Sequence, residues 1–192
     1  MIDIQSDLRW KRFNNPDRVD PVSGRQFNGM FPIDFDHPHP WRHISLQVSG
    51  EDTLEFGDDR LTPDLCQVGE AFFIRGEIRL PLLGTKEALT YTPWVSVSVD
   101  TFKAYLERRN EGAFDDLRSA NGWIMNILQG WDMSSWLPGT LNFSAETPRP
   151  RIDVHPHHHP LSMAQRNGVN FDQVLDLYAA SGHDIRPHLL AD

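Results

Sequence analysis

The sequence has little cysteine, no long apolar run and no cluster of basic residues. Cys66 is the single cysteine among 192 residues, so the chain forms no internal disulfide and no cysteine-based metal cluster. No apolar run reaches the roughly 18 residues of a membrane-spanning helix, and the N-terminal string MIDIQSDLRWKRF lacks the apolar core of a signal peptide. Because nucleic-acid binding needs clustered lysine and arginine, we expect a cytoplasmic protein that binds neither membranes nor nucleic acid.

The short motifs that mark common catalytic sites are also missing. The sequence contains no G-x-S-x-G frame, no glycine-rich phosphate loop and no H-E-x-x-H pair of metal-binding histidines. A lone cysteine such as Cys66 is most often a small buried apolar residue rather than a nucleophile. The sequence therefore predicts no catalytic residue and no cofactor, and it favours a protein that is not an enzyme.

What the sequence does contain is typical of a folded domain with an acidic surface. Hydrophobic residues make up 39% of the chain, and six tryptophans and eleven phenylalanines supply large core side chains. The formal net charge is −9, which suits solubility or a basic protein partner. Turn-forming residues are dense in 1–40, so we expect an irregular N-terminal segment there, packed on a single domain over 41–192.

Alternation of apolar and polar residues predicts a long antiparallel hairpin with strands over about 71–80 and 89–99. In the second strand Val95, Val97 and Val99 share one face, and Trp94 lies on the opposite, polar face. Another strand is predicted over 43–48, a short buried strand over 123–128, and two more strands over 140–145 and 151–154.

Helices are predicted between these strands and after them. A short helix over 3–13 comes first, and Asp100 is placed as the cap of a central helix over 101–110. The apolar stripe of that helix is Phe102, Tyr105 and Leu106. C-terminal helices follow over about 161–167, between Pro160 and Gly168, and over 171–180, where Asn170 and Gln173 form a capping box. Strands and helices in this order indicate an α+β fold around an antiparallel sheet.

The string PRPRIDVHPHHHPLSMAQRNG at 148–168 holds the most unusual residues of the chain. His155, His157 and His158 are candidate metal ligands, with a further ligand from His37, His39, His43 or Asp153. The alternative is a solvated loop, because Pro156 and Pro160 interrupt the spacing that a metal site needs.

The arginines of the same string suggest a different site. Arg149 and Arg151 flank Pro150, and in an extended segment they project to the same side as an anion clamp. Arg166 and Gln165 come shortly after. In the alternative interpretation, these arginines pair with acidic residues of the fold itself.

Several short strings together resemble the bacterial family DUF2199. In chain order they are DLC at 64–66, FFIRG at 72–76, WVSVS at 94–98, GW at 122–123, LPGTLN at 137–142, RPRI at 149–152, HPL at 159–161, QR at 165–166 and Gly168. The resemblance covers about 60–180 and implies a small cytoplasmic bacterial protein, without implying an activity. Of the histidines at 155–159, it includes His159 alone, which weakens the metal interpretation.

The N-terminal part departs from that family pattern. The string NGMFPIDF at 28–35 matches the resemblance, but the C-x-x-C-G knuckle that it implies reads Asp20-Pro21-Val22-Ser23-Gly24 here. Without both thiolates a structural zinc site is not available, so we expect packing to hold this segment.

Two functions remain open on the sequence alone. The first is a non-catalytic binding or protein-interaction domain that uses Trp94 as an exposed aromatic anchor for a basic partner, by analogy with immunity proteins. The second is a small-anion binder or enzyme, with its site formed by these residues: Arg149, Arg151, His159, Gln165, Arg166 and either Trp94 or Trp123. No feature of the sequence predicts an oligomeric state.

Overall fold

The computed structural model describes residues 4–21, 23–43, 52–111, 114, 117–132, 136–147 and 149–190. The strands within these ranges are β1 Ile33–Asp34, β2 Leu54–Phe56, β3 Asp59–Leu61, β4 Leu65–Val68, β5 Ala71–Arg75, β6 Ile78–Pro81, β7 Ala88–Thr92, β8 Trp94–Val97, β9 Ala120–Ile124, β10 Pro138–Asn142 and β11 Arg151–Val154. After a 3-10 turn at Ile4–Ser6, the helices are α1 Leu8–Phe13, α2 Val99–Glu111, α3 Pro160–Asn167, α4 Phe171–Ala180 and α5 Arg186–Leu190.

The strands form two sheets. The large sheet has eight strands in the order β11-β10-β9-β8-β5-β4-β3-β2, and all its neighbouring strands are antiparallel. The small sheet has the order β1-β7-β6, with β1 parallel to β7. The predicted α+β fold around an antiparallel sheet is confirmed.

The predicted long hairpin is also confirmed, and it passes through both sheets. Far from the turn, β5 pairs with β8 in the large sheet. Nearer the turn, β6 pairs with β7 in the small sheet, and the register is the same in both parts. The two sheets separate at Gly76, which follows β5 and whose N–H donates to the carbonyl oxygen of Pro93 at 3.0 Å. A Cβ atom at Gly76 would lie 2.8 Å from Ile152 and 2.9 Å from the Pro150 carbonyl, so this close approach of β11 requires glycine.

The main core combines residues from one face of the large sheet, from the small sheet and from α2, α3 and α4. Trp10 and Phe13 of α1 belong to the same core, with ring centroids 5.2 and 5.6 Å from Phe171 at the start of α4. A second cluster of buried residues consists of Trp41, Leu61, Cys66, Phe73 and Trp94. Among the described helices, none is long and apolar enough to cross a membrane.

Helices whose limits depend on local signals begin and end as predicted. α4 spans Phe171–Ala180 with the Asn170–Gln173 capping box, and α3 ends before Gly168, which has a φ of 82°. The central helix differs at its start, because the Ser98 hydroxyl rather than Asp100 accepts the N–H of Thr101 at 3.2 Å.

Other predictions of the sequence need correction or lie outside the described residues. Leu106 is 40% exposed and does not belong to the buried stripe of α2. The strand predicted over 123–128 is displaced, since β9 spans Ala120–Ile124 and the chain bends at Asn126 to bind the N–H of Trp94. The strand predicted over 43–48 lies outside the described residues, apart from His43.

Candidate functional site

Trp94, predicted to be an exposed anchor, is fully buried. The indole N–H donates to the carbonyl oxygen of Phe35 at 2.9 Å, and Trp41 packs in the same cluster. The prediction of an exposed Trp94 is wrong because strand alternation separates two faces but does not reveal whether a distant segment covers the polar one. Here residues 35–41 cover it.

Cys66 lies in the same buried cluster. Burial raises the pKa of its thiol to about 12, so the thiol is protonated at neutral pH. The interpretation of Cys66 as a buried apolar residue is confirmed.

Arg149 holds a buried carboxylate rather than facing a cavity. Its Nε donates to Asp64 Oδ1 at 2.6 Å, and Arg109 of α2 donates to the other oxygen at 2.8 Å. Burial alone would raise the pKa of Asp64, but the hydrogen bonds and charges of Arg149 and Arg109 lower it below its ordinary value. Arg149 therefore connects the start of β11 to α2 through Asp64.

Arg75 makes a second internal contact of this kind. Its side chain is buried beneath β1, where it donates to Asp34 Oδ1 at 3.2 Å and to Thr92 Oγ1 at 3.0 Å. Another of its nitrogens donates to the carbonyl oxygen of Pro63 at 3.2 Å. Arg75 thus fixes β1 and the loop before β4 against the hairpin.

Gln165 completes the edge of the large sheet. Its side-chain N–H donates to the Ile152 carbonyl at 2.6 Å, and its side-chain oxygen accepts the Val154 N–H at 3.1 Å. The amide thereby supplies the two hydrogen bonds that a neighbouring strand would give to β11.

His159 and Arg166 support the loop that joins β11 to α3. His159 Nδ1 accepts the N–H of Leu161 at 3.2 Å as the cap of α3, and its Nε2 lies 2.8 Å from the Asp132 carbonyl. Arg166 donates to the Ser162 hydroxyl at 2.8 Å and to the carbonyl of His157. Both residues therefore stabilise this loop and the start of α3.

The three remaining histidines of this loop do not converge on a common point. His155 Nε2 lies 3.0 Å from the Thr140 hydroxyl, and an Arg166 N–H occupies His157 Nδ1 at 3.2 Å. His158 is exposed. Across the part of the chain that the structure describes, no group of three or more histidine, cysteine, aspartate or glutamate side chains could hold a metal ion.

The segment that departs from the family pattern is held by hydrogen bonds as well as by packing. Asp20 is only 2% exposed, and its Oδ2 accepts the N–H and hydroxyl of Ser23 and lies 2.6 Å from His183 Nε2. The expectation that packing would hold this turn therefore omits these hydrogen bonds.

Arg151 lines an open cleft between the hairpin, β11 and α3, which we call the polar cleft. Its volume is about 420 Å³. Gln165 contributes to its wall, whereas Arg149, His159 and Arg166 are not among its lining residues. The structure thus does not bring the predicted anion-binding residues together around one cavity.

An exposed tryptophan is nevertheless present, one strand away from Trp94. Trp123 of β9 is 53% exposed, and it forms a cross-strand row with Ser96 of β8 and Phe73 of β5. Ser96 is small, and the two aromatic residues on either side of it border an open cavity, which we call the apolar groove. Its volume is about 690 Å³. Its lining residues are Pro40, Ala71, Phe73, Ser96, Trp123, Met125 and Trp136.

Sequence reasoning missed the apolar groove by placing Trp123 in a buried strand. The signal that could have revealed it is the alternation within β9, where Ile124 is buried and Asn121 and Trp123 point to the opposite face.

The family model described as "Uncharacterized protein conserved in bacteria (DUF2199)" matches residues 21–169 of the chain. No curated protein and no solved structure gives a significant match.

Proposed function

The chain belongs to the DUF2199 family of bacterial proteins, and from this premise we propose that it is a non-catalytic binding domain whose apolar groove receives a segment of a partner protein. The observation that carries the proposal is the half-exposed Trp123 at the side of a concave apolar surface. Tryptophan is enriched among the residues that dominate the binding energy of protein interfaces. An exposed apolar patch with such an anchor is typical of a surface that a partner covers.

The chemistry of the apolar groove specifies the segment that it would receive. None of its seven described lining residues carries a charge, so the inserted side chain should be apolar. The chain as a whole has a net charge of −9, which attracts positively charged partners and accelerates their association. The proposed occupant is therefore an extended protein segment with an apolar anchor between lysine or arginine residues.

Photo-crosslinking in cells tests this proposal. A photoreactive phenylalanine analogue replaces Trp123, and in the control it replaces Leu106, which is 40% exposed on α2. α2 is a suitable control because it packs on the other face of the large sheet, where the rings of Phe72 and Phe102 lie 5.0 Å apart. Mass spectrometry then identifies the crosslinked peptide.

We expect position 123 to capture one protein, at a segment whose apolar residue lies between basic residues. Position 106 should not capture that segment. The same set of proteins at both positions, or an acidic segment at position 123, would contradict the proposal.

A further inference from the structure

We propose that a second cavity beside Trp123 binds an uncharged sugar, whose ring stacks on the indole while Ser98 and Asn121 bind its hydroxyl groups. This cavity, which we call the neutral pocket, has a volume of about 310 Å³, and Ser96 and Pro138 are among its other lining residues. Trp123 and Ser96 also line the apolar groove, but the inference does not depend on the function proposed for that groove.

The strand register brings the side chains of the neutral pocket together on the face of the large sheet opposite the main core. Trp123 of β9 lies between Ser96 of β8 and Pro138 of β10 in one cross-strand row. Asn121 lies opposite Thr140 in the next row on the same face. Because the Cβ atoms of directly opposite residues lie roughly 4.5–5.5 Å apart, the polar side chains of these rows surround one face of the indole.

The neutral pocket carries no charge of its own. None of its described lining residues is charged, and on this face of the strands β8 to β11 the charged side chains begin at Arg151 and Asp153 of β11. A charged ligand would lose water here without gaining an oppositely charged partner. The net charge of −9 further disfavours an anion. The ligand should therefore be uncharged and hydrogen-bonding.

Asn121 is oriented before a ligand binds. Its side-chain oxygen accepts the Thr140 hydroxyl at 2.9 Å, and the Thr140 oxygen lies 3.0 Å from His155 Nε2. The two N–H groups of the Asn121 amide have no hydrogen-bond partner among the described residues, so both are able to donate to a ligand. Since Thr140 holds the amide in place, binding costs little side-chain entropy.

Two serine hydroxyls add to this donor group. Ser96 Oγ accepts the N–H of Trp123 at 3.2 Å. Ser98 Oγ accepts the N–H of Thr101 at 3.2 Å and lies 2.9 Å from its hydroxyl oxygen. The backbone thus positions both hydroxyl groups, and each keeps a donor or acceptor position for a ligand hydroxyl.

Trp123 supplies the apolar part of the site. Its side chain is 53% exposed, and the face of an aromatic ring attracts C–H bonds because it carries partial negative charge. A gluco-configured pyranose has C–H bonds on its ring faces and equatorial hydroxyl groups at its rim, so it is able to stack on the indole and reach Ser98 and Asn121 at once. The volume of about 310 Å³ lies at the lower end of the roughly 300–1,000 Å³ of small-molecule pockets, which suits a single ring.

Titration with methyl β-glucoside and with N-acetylglucosamine, followed by NMR of the backbone amides, tests the inference. Sorbitol is the comparison, because this open-chain polyol has hydroxyl groups but no ring face. The variants are Trp123→Ala and Asn121→Ala. Asn167→Ala is the matched control, because Asn167 is exposed at the end of α3 and lines neither the neutral pocket nor the apolar groove. The replaced side chains are all exposed, so the variants should fold, and their melting temperatures check this.

We expect at least one of the two sugars to cause saturable shifts at residues 96–98 and 121–123, and sorbitol to cause none. Trp123→Ala should abolish binding, and Asn121→Ala should weaken it about fivefold or more because it removes hydrogen bonds to the sugar. Asn167→Ala should leave the dissociation constant within about twofold.

The inference is overturned if neither sugar gives saturable shifts up to about 50 mM, if sorbitol binds equally well, or if Asn121→Ala and Asn167→Ala have the same effect. Crosslinking of a partner protein at position 123 reports on the apolar groove alone. Either proposal can therefore fail without the other.

Discussion

Asp64 is a buried carboxylate on which distant parts of the chain converge. Arg109 from α2 and Arg149 from the segment before β11 bind its two oxygens, and its backbone carbonyl accepts the N–H of Arg75 at 2.9 Å. Asp64, Arg75 and Arg149 all lie in strings that identify the family. Their contacts give these residues a role in the architecture that requires no ligand.

Replacement of Asp64 by asparagine should destabilise the protein in a pH-dependent way. We expect Asp64→Asn to lower the free energy of unfolding by about 2 kcal/mol at neutral pH, because two arginines lose their anionic partner. Since the folded-state pKa of Asp64 is lowered, its stabilising contribution is present above the unfolded-state pKa of about 3.9 and is lost as the pH falls through the folded-state pKa.

Urea unfolding at neutral and acidic pH measures this effect. The difference between the wild-type protein and Asp64→Asn should shrink in acid. Asp58→Asn, an exposed aspartate in a turn, should change stability little at either pH. A difference for Asp64→Asn that is the same at both pH values would contradict the account.

The two tryptophans of the central strands show how far a site can be predicted from residues alone. Alternation correctly separates Trp94 from the valine row of β8, but the cover that residues 35–41 place over it comes from a distant part of the chain. Trp123 was expected in a buried strand, and it is the exposed one. Periodicity assigns a side chain to a face, and tertiary contacts decide whether that face meets water.

At the scale of elements, local sequence signals correctly predicted the features that depend on neighbouring residues. Caps and breakers fix the ends of α3 and α4, and uninterrupted alternation fixes the register of the hairpin. The separation of the two sheets at Gly76 was not predicted, because the close approach of Ile152 that requires glycine there comes from β11. The division of one hairpin between two sheets therefore depends on a contact with β11, which the sequences of the two hairpin strands do not reveal.

Mutation of Gln165 tests whether its side chain completes the edge of β11. Gln165→Leu keeps the apolar part of the side chain but removes both hydrogen bonds to Ile152 and Val154. We expect a loss of about 1–2 kcal/mol in the free energy of unfolding. The amide proton of Val154 should also exchange faster with solvent.

Gln26→Leu is the control for that variant, because Gln26 is exposed and lies outside the strands of the large sheet. Hydrogen exchange followed by NMR distinguishes the two variants. Unchanged protection of Val154 in Gln165→Leu would show that the side chain does not complete the sheet.

At the scale of the whole molecule, the large sheet has two unlike faces. One face carries the main core and its helices, and the other is covered by residues 35–41 over one part and forms the apolar groove beside it. The polar cleft lies elsewhere, where the small sheet meets β11. The strings that identify the family contribute to the interior through Asp64 and Arg75, and to the apolar groove through Trp123.

The binding affinity of the partner found by crosslinking tests the central claim most directly. The measurement compares the dissociation constants of that purified partner for the wild-type protein, Trp123→Ala and Leu106→Ala. Because Trp123 is half exposed, its replacement should remove binding energy with little loss of stability. We predict that Trp123→Ala weakens binding about tenfold or more and that Leu106→Ala leaves it within about twofold. Equal dissociation constants for the two variants would contradict the account.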